Sequence, residues 1–208
     1  TGDKEDEAMT KALKLHMSDI ERAMFFGYKH ESNGSSSQPT RFTGGIINSI
    51  TNVIDVDSDI DGDGTMNEEQ FDEQLISTIF KFGSKQKIAF CGEVVANHLQ
   101  QFGKDRWQPQ SVSGAYGVNL TQYTTFAGDL MVHLHPQFRQ VPGMKEAMVI
   151  VDFPYLKYRY LDGRDTQLLE NRQGNGEDST KHEYLTECGL EMLQDTVHGY
   201  IKNWGSRA

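Results

Sequence analysis

A long amphipathic helix near the start of the chain constrains the fold more than any other feature. Apolar residues recur there at spacings of four, four, three and four, which places them on one stripe of a helix. These residues are Met9, Leu13, Met17, Ile20 and Met24. Acidic residues crowd the first turn and Gly27 follows as a stop signal, so we predict a helix over residues 3–26. Such a helix needs a sheet to cover its stripe.

The totals of the sequence limit the classes of protein to consider. The 208 residues are enough for one large domain or two small ones, and the net charge is −10. An acidic chain is a poor match for a nucleic-acid-binding surface, which needs concentrated Lys and Arg. No apolar run approaches the length of a membrane span. Because the sequence opens at Thr1, directly on a helix, we expect a trimmed piece of a longer protein.

The remaining periodicity predicts an α+β protein, with helices packed on a sheet. The predicted helices cover residues 67–82 and 93–102. The predicted strands cover residues 87–91, 118–126, 130–135, 148–151, 155–161, 182–193 and 196–204. The run at 148–151 is apolar throughout, which is typical of a strand buried on both faces. We expect Leu156, Tyr158 and Tyr160 to share one face of their strand, and the C-terminal strands to cover the first helix.

The most distinctive local motif is an acidic loop at residues 59–70 that matches the twelve-residue EF-hand calcium loop. Its ligands would be Asp59, Asp61, Asp63, Thr65 and Gln70, with Gly64 at the turn. Gln70 stands where a bidentate Glu usually closes the site, so any Ca²⁺ binding should be weak. The other interpretation is a solvated acidic turn that caps the next helix. The sequence does not decide between the calcium site and the solvated turn.

The sequence carries no motif of an enzyme, so we predict no enzymatic activity and no required cofactor, with Ca²⁺ the one optional ion. Cys91 and Cys188 lie far apart in apolar contexts and are interpreted as reduced thiols. His133 and His135 share a strand face, and exposed strand histidines are favoured over a metal pair. Asp152 ends the buried strand, where a capping acid is favoured over a catalytic one.

Several stretches of local sequence together resemble one family. In the C-terminal half they are residues 155–161, 174–178, 184–191 and 197–199, and in the front half residues 21–27, 43–46 and 87–92. In this order they resemble a group of tailed-phage major capsid proteins, many known only as a domain of unknown function. The resemblance covers nearly all of the chain. It rests on the order of these stretches and on their local amino-acid sequence.

The resemblance implies the Johnson fold of phage and herpesvirus capsid proteins. Residues 1–42 and 154–208 would form its peripheral domain, with the spine helix and linker in the first segment and the C-terminal strands in the second. Residues 43–153 would form the axial domain, in which the acidic loop at 55–64 looks like an insertion. The arm and extended loop that normally precede the spine helix are not in this sequence.

The implied function is a structural subunit of an icosahedral phage head, located in the virion and assembled in the cytoplasm of the bacterial host. Its partners would be copies of itself, in capsomers and a shell when full length, with no membrane and no specific nucleic-acid sequence. Without the arm and loop we expect a monomer or weak small oligomers. The alternatives are a calcium-binding adhesion or recognition module that uses residues 59–70, and a hydrolase with an active site outside the known motifs.

Overall fold

The computed structural model describes residues 2–32, 39–60, 62–102 and 121–205. The helices are α1 (Gly2–Phe26), α2 (Ile46–Ser49), α3 (Val56–Asp59), α4 (Glu68–Gln74) and α5 (Glu93–Gln101). The strands are β1 (His30–Ser32), β2 (Thr40–Phe42), β3 (Val53–Asp55), β4 (Gln86–Cys91), β5 (Thr121–Thr124), β6 (Asp129–Leu134), β7 (Met148–Val151), β8 (Leu156–Tyr160), β9 (Gln167–Leu169), β10 (Glu183–Leu185), β11 (Cys188–Met192) and β12 (Gly199–Lys202). The predicted α+β class is confirmed. The chain divides into two compact units.

The first unit comprises residues 1–49 and 157–191. The predicted long helix is present as α1, and the strands of this unit form two-stranded ribbons rather than one wide sheet. The ribbons pair β1 with β2, β9 with β10, and β8 with β11. Short ribbons of this kind bury little apolar surface on their own.

The second unit comprises residues 50–156 and 192–208 and is built on a six-stranded sheet. The strand order is β3-β12-β7-β4-β6-β5, with β4 parallel to β6 and β12 parallel to β3. All four residues of β7 are buried, between antiparallel neighbours β12 and β4. The prediction of a strand buried on both faces is therefore confirmed.

The core of the second unit joins this sheet to α4 and α5. Phe71, Leu75, Val95 and Leu99 have no exposed surface and belong to one cluster with the sheet residues. Trp204 completes the cluster, with its ring centroid 5.1 Å from that of Phe71. This unit therefore has a continuous apolar core of its own.

The helix predicted over residues 67–82 is present but changes its geometry halfway. A capping box between Asn67 and Gln70 starts α4, and a π-helical segment, Leu75–Ile79, follows it. The π-type hydrogen bond runs from the Phe80 N–H to the Leu75 carbonyl at 2.8 Å. Period-based prediction cannot separate π from α geometry over five residues, because the apolar spacing is nearly the same.

The C-terminal strands differ from the prediction. The strand predicted at 182–193 is two short strands, β10 and β11, and the one predicted at 196–204 is reduced to β12. β12 lies between β3 and β7 in the six-stranded sheet of the second unit, where Ile201 is fully buried. The division into capsid domains at 42 and 153 stays a prediction. The compact units have other bounds, and residues 192–208 fall in the second.

Within the described ranges, none of the helices combines the length and the apolar character that a membrane span requires.

Candidate assembly surfaces

Helix α1 exposes much of the apolar stripe that the sequence predicts. Met9, Leu13, Ile20 and Met24 are only half-buried. Met17 is 44% exposed, so the expectation that the stripe forms a core is wrong for its centre. The helix therefore offers apolar surface to solvent along most of its length.

The ribbon formed by β9 and β10 contacts α1 mainly through polar groups. His16 Nε2 lies 2.7 Å from the Thr186 hydroxyl, and its ring centroid lies 6.2 Å from that of Tyr184. At the start of the helix, Glu5 pairs with His182 at 3.3 Å. The pair between Glu5 and His182 lies at the surface, where such a contact contributes little to the free energy of unfolding.

Strand β8 presents a second exposed apolar surface in the same unit. Tyr158, Tyr160 and Leu161 are 43%, 54% and 56% exposed, and the two tyrosine rings lie 5.8 Å apart. Tyr158 and Tyr160 share one face of β8, as the alternation predicts, and this face is exposed. The alternation in the sequence is real, but β8 pairs only with β11 in a ribbon that has no buried face here.

Among the described residues of the second unit, one aromatic side chain is completely exposed. Phe126 follows β5 in the turn before Gly128, and it is fully exposed. The Thr125 N–H donates to the Gly128 carbonyl at 2.9 Å, as expected for a hairpin turn between two consecutive antiparallel strands. A large aromatic side chain at a hairpin tip is seldom left fully exposed unless another molecule covers it.

Asp152 holds a buried polar cluster in the second unit. Its Oδ2 accepts the Ser84 N–H at 2.7 Å, and its other oxygen accepts the Ser84 hydroxyl in a short hydrogen bond. Its own N–H donates to His198 Nδ1 at 3.1 Å. Asp152 therefore caps the turn that carries Gly83, in agreement with the capping role favoured from the sequence.

Lys87 is the buried cation of the same cluster, and sequence reasoning missed it. Its Nζ donates to the carbonyls of Ile79, Phe82 and Val197 at 2.7, 2.9 and 2.6 Å. Burial lowers the pKa of Lys87, and the nearby Asp152 carboxylate opposes that shift. The signal in the sequence was the alternation of β4, in which position 87 shares a face with the buried Ala89 and Cys91.

His198 completes the cluster as a buried imidazole with no exposed surface. Burial lowers its pKa, which favours the neutral ring. With Nδ1 accepting a hydrogen bond, the neutral ring carries its proton on Nε2. Every member of the cluster ties one backbone segment to another, so its role is structural.

The acidic loop is described except for Asp61, which lies outside the described residues. Asp59 ends α3 and accepts hydrogen bonds from the Asp55 N–H at 2.8 Å and the Ser58 hydroxyl at 3.0 Å. Asp63 Oδ1 accepts from both the N–H and the hydroxyl of Thr65 at 2.8 Å. These carboxylates are thus already engaged within the loop.

Two further features of the loop bear on the calcium prediction. Gly64 has φ +72°, a left-handed turn at the position where an EF-hand loop requires glycine. The Gln70 side-chain oxygen instead accepts the Asn67 N–H at 2.9 Å in the capping box. Among the described residues, no group of three or more His, Cys, Asp or Glu side chains is placed to hold a metal ion. The calcium site stays a prediction.

The loop is fastened to the strand that ends the second unit. Asp55 pairs with Lys202 at 2.9 Å and accepts the Asn203 amide at 2.8 Å, and the Gly205 N–H donates to the Gly64 carbonyl at 3.0 Å. The hydrogen bond from Lys202 lowers the pKa of Asp55. Any ion bound in this loop would act on the second unit through these contacts.

Both cysteines are free thiols. Cys91 is buried, and burial raises its pKa to about 12, so it is inert, whereas Cys188 is half-buried. His135 is also buried, and its Nδ1 accepts the Gln137 N–H at 3.3 Å, so the expectation that it is exposed is wrong. Cys91 thus serves packing, and His135 caps the turn that follows β6.

Two solved structures share this fold. One is the holo-SrpI encapsulin complex of Synechococcus elongatus PCC 7942, with TM-score 0.51 and 15% identity, over 94% of this chain and 65% of that chain. The other is a prophage capsid protein of E. coli CFT073, with TM-score 0.50 and 12% identity, over 86% of this chain and 60% of that chain. At these identities the likeness shows the fold.

The sequence itself is similar to that of a curated protein. The major capsid protein of Pseudomonas phage PaMx41 is 25% identical over 185 residues, which cover 84% of this chain and 43% of the relative. The chain therefore spans less than half the length of that relative. The family model described as SU10 major capsid protein matches residues 1–205, nearly the whole chain. The chain belongs to the SU10 major capsid protein family.

Proposed function

We propose that this chain is the folded core of a phage head subunit, and that copies of the complete protein assemble into a closed shell around the genome. The family match over residues 1–205 is the observation that carries this proposal. The subunit would act as a structural component of the virion, assembled in the cytoplasm of the bacterial host, and not as an enzyme.

The exposed apolar surfaces of the first unit support the assembly role. Subunit interfaces require apolar patches with a polar surround, and such patches are rare on proteins that remain single. The half-buried stripe of α1 and the exposed Tyr158, Tyr160 and Leu161 fit this description. A partner subunit that covers them would provide the burial that the ribbons lack.

The charge of the chain is compatible with a container for nucleic acid. A net charge of −10 disfavours tight binding of packaged DNA, which a shell has to release. The same charge opposes the association of subunits at low ionic strength, so apolar and locally complementary surfaces must provide the attraction. We expect assembly to strengthen as salt screens this repulsion.

The proposal is tested by expressing the complete reading frame that encodes the chain and examining the product by electron microscopy and sedimentation velocity. Closed shells are the expected result, and a product that remains monomeric at all salt and protein concentrations would contradict the proposal. The 208 residues alone are expected to give monomers or weak small oligomers, which light scattering would show.

A matched pair of variants tests whether assembly requires the exposed apolar patch of β8. Tyr160→Asp places a charge in the apolar patch of β8, whereas Ser179→Asp places the same charge on an exposed loop of the same unit. Both residues are exposed, so neither change should alter folding of the single chain. Tyr160→Asp is expected to reduce the yield of particles strongly, and Ser179→Asp to leave it unchanged.

A further inference from the structure

We infer that the ribbon formed by β1 and β2 is an assembly clasp that docks on the acidic surface at residues 162–178 of a second copy of this chain. This inference rests on the proposed function and deepens it, because it names one contact between subunits. Only the described residues at 28–32 and 39–43 are assigned to the clasp.

Among the residues that the structure describes, no layer covers the ribbon. All six residues of β1 and β2 are exposed, and the flanking Tyr28 and the strand residue Phe42 are 75% and 57% exposed. A two-stranded hairpin without a covering layer is at best marginally stable in water. Its outer strand edges also carry backbone groups that another chain can pair with. The ribbon therefore gains stability when a second surface covers it.

The base of the ribbon, in contrast, is fixed firmly. The Gly27 N–H donates to the Ala23 carbonyl at the end of α1, and the Gly45 N–H donates to the Gly27 carbonyl, both at 2.8 Å. A Cβ on Gly45 would lie 2.7 Å from the Phe25 carbonyl oxygen, so the two segments cross too closely for any other residue. The Leu190 N–H donates to the Thr43 hydroxyl at 3.1 Å. A rigid base with an uncovered end suits a clasp.

Charge identifies the surface that the clasp would dock on. The described ribbon has a net charge of +1 in a chain whose net charge is −10, because Arg41 pairs with the single acid Glu31 at 3.4 Å and Lys29 remains as the exposed cation beside them. Residues 162–178 carry five acids against two arginines, a net charge of −3. Complementary charge of this kind steers association and fixes its register.

The docking surface also matches the clasp in its apolar content. Tyr158, Tyr160 and Leu161 lie exposed directly before the acidic segment, and the clasp offers Tyr28 and Phe42. Aromatic residues surrounded by charges are typical of the centre of a protein interface.

The two surfaces belong to the same unit, and both are exposed in the single chain, so they do not cover each other there. Contact between different surfaces of identical chains is head-to-tail and generates a ring when the rotation closes. Such a contact suits a subunit that assembles in many copies.

Zero-length cross-linking of amines to carboxylates tests the contact in particles assembled from an equal mixture of isotopically light and heavy chains. We expect cross-links from Lys29 to Asp162, Glu170 or Asp178, with light–heavy pairs as abundant as pairs of like isotope. Particles that form but give these cross-links only within one chain, or not at all, overturn the inference and leave the proposed function intact. Failure of the chains to associate at all overturns both.

Charge variants test the energetics of the same contact. Lys29→Glu should weaken association about tenfold or more, whereas Lys29→Arg should preserve it. Lys85→Glu, the same change at an exposed position of the second unit, should have no such effect. Mixing Lys29→Glu chains with Asp162→Lys/Glu170→Lys chains should restore association, because each clasp then meets a surface of opposite charge. Equal behaviour of Lys29→Glu and Lys85→Glu would contradict the inference.

Discussion

The two units of this chain use the same kind of helix in opposite ways. In the second unit, α5 places Val95 and Leu99 fully inside a core that also contains the six-stranded sheet. In the first unit, α1 is almost three times as long, yet its stripe is half-buried and Phe25 is the side chain it buries best among those described. The second unit provides its own stability, whereas the first has apolar surface left for other molecules. This division suits the proposed shell subunit, because contacts between subunits can cover the first unit while the second keeps its own core.

The largest effect should come from the buried cation of the second unit. Lys87→Met removes the donor to three carbonyls and leaves Asp152 buried without its nearby cation, which we expect to cost about 3–5 kcal/mol of the free energy of unfolding. Lys85→Met is the control, since Lys85 is exposed two residues away. Denaturant unfolding of both variants measures the difference. Equal stability would mean that the cluster contributes nothing.

Replacing one leucine by alanine in each unit compares the two units directly, and the larger effect is expected in the second unit. Leu99→Ala leaves a cavity in a fully buried site and should cost about 2–5 kcal/mol. Amide hydrogen exchange followed by mass spectrometry should show faster exchange across the six-stranded sheet and little change in α1. A loss below about 1 kcal/mol would show that the core of the second unit can collapse around the change.

His198 should make the stability of the second unit depend on pH. Its pKa is lower in the folded state than in the unfolded state because it is buried, so the neutral ring stabilises the fold. This contribution is complete above about pH 6.5, the ordinary histidine value, and is lost as the pH falls below it toward the folded-state pKa. His198→Asn keeps an acceptor for the Asp152 N–H and cannot titrate.

We therefore expect the stability of the His198→Asn variant to fall less steeply between pH 7 and pH 5 than that of the parent chain. Thermal unfolding at a series of pH values measures both slopes. If the stability of the two chains has the same slope against pH, His198 does not contribute to the pH dependence, and carboxylates must account for it.

Leu13→Ala is the counterpart of Leu99→Ala in the first unit, and its effect should be smaller. Because Leu13 is half-buried, we expect a cost below about 1–2 kcal/mol in the single chain, less than the cost of a core leucine. In assembled particles the same change should reduce the yield. An equal cost for Leu13→Ala and Leu99→Ala in the single chain would break the comparison between the units.

The sequence-based predictions were more accurate for the second unit than for the first. The sequence predicted β7 and the helices of the second unit because local period and burial agree there. It placed Tyr158 and Tyr160 on one face but could not tell that this face is exposed, because an alternating pattern shows that a strand has two faces but not that either face is covered. It also missed Lys87, since a lysine at a buried position can be recognised only once the carbonyls that surround it are known. The placement of β12 in the six-stranded sheet depends on pairing between residues far apart in sequence, which period alone cannot specify.

The smallest effect we predict is that of Ca²⁺ on the acidic loop. A site without a bidentate Glu should bind with high-micromolar to millimolar affinity. Ca²⁺ at a concentration equal to its Kd would stabilise the fold by about 0.4 kcal/mol. Because Asp55 and Gly64 tie the loop to Lys202 and Gly205, slower hydrogen exchange should appear at β12 and not in α1.

Two substitutions make this prediction decisive by calorimetry. Gln70→Glu should tighten Ca²⁺ binding while preserving the capping box with Asn67, since Glu serves there as well as Gln, so that stability without Ca²⁺ changes little. Asp61→Ala should abolish the heat of binding. If Asp61→Ala gives the same heat as the parent chain, the loop is an acidic cap for α4, and the second unit gains nothing from the ion.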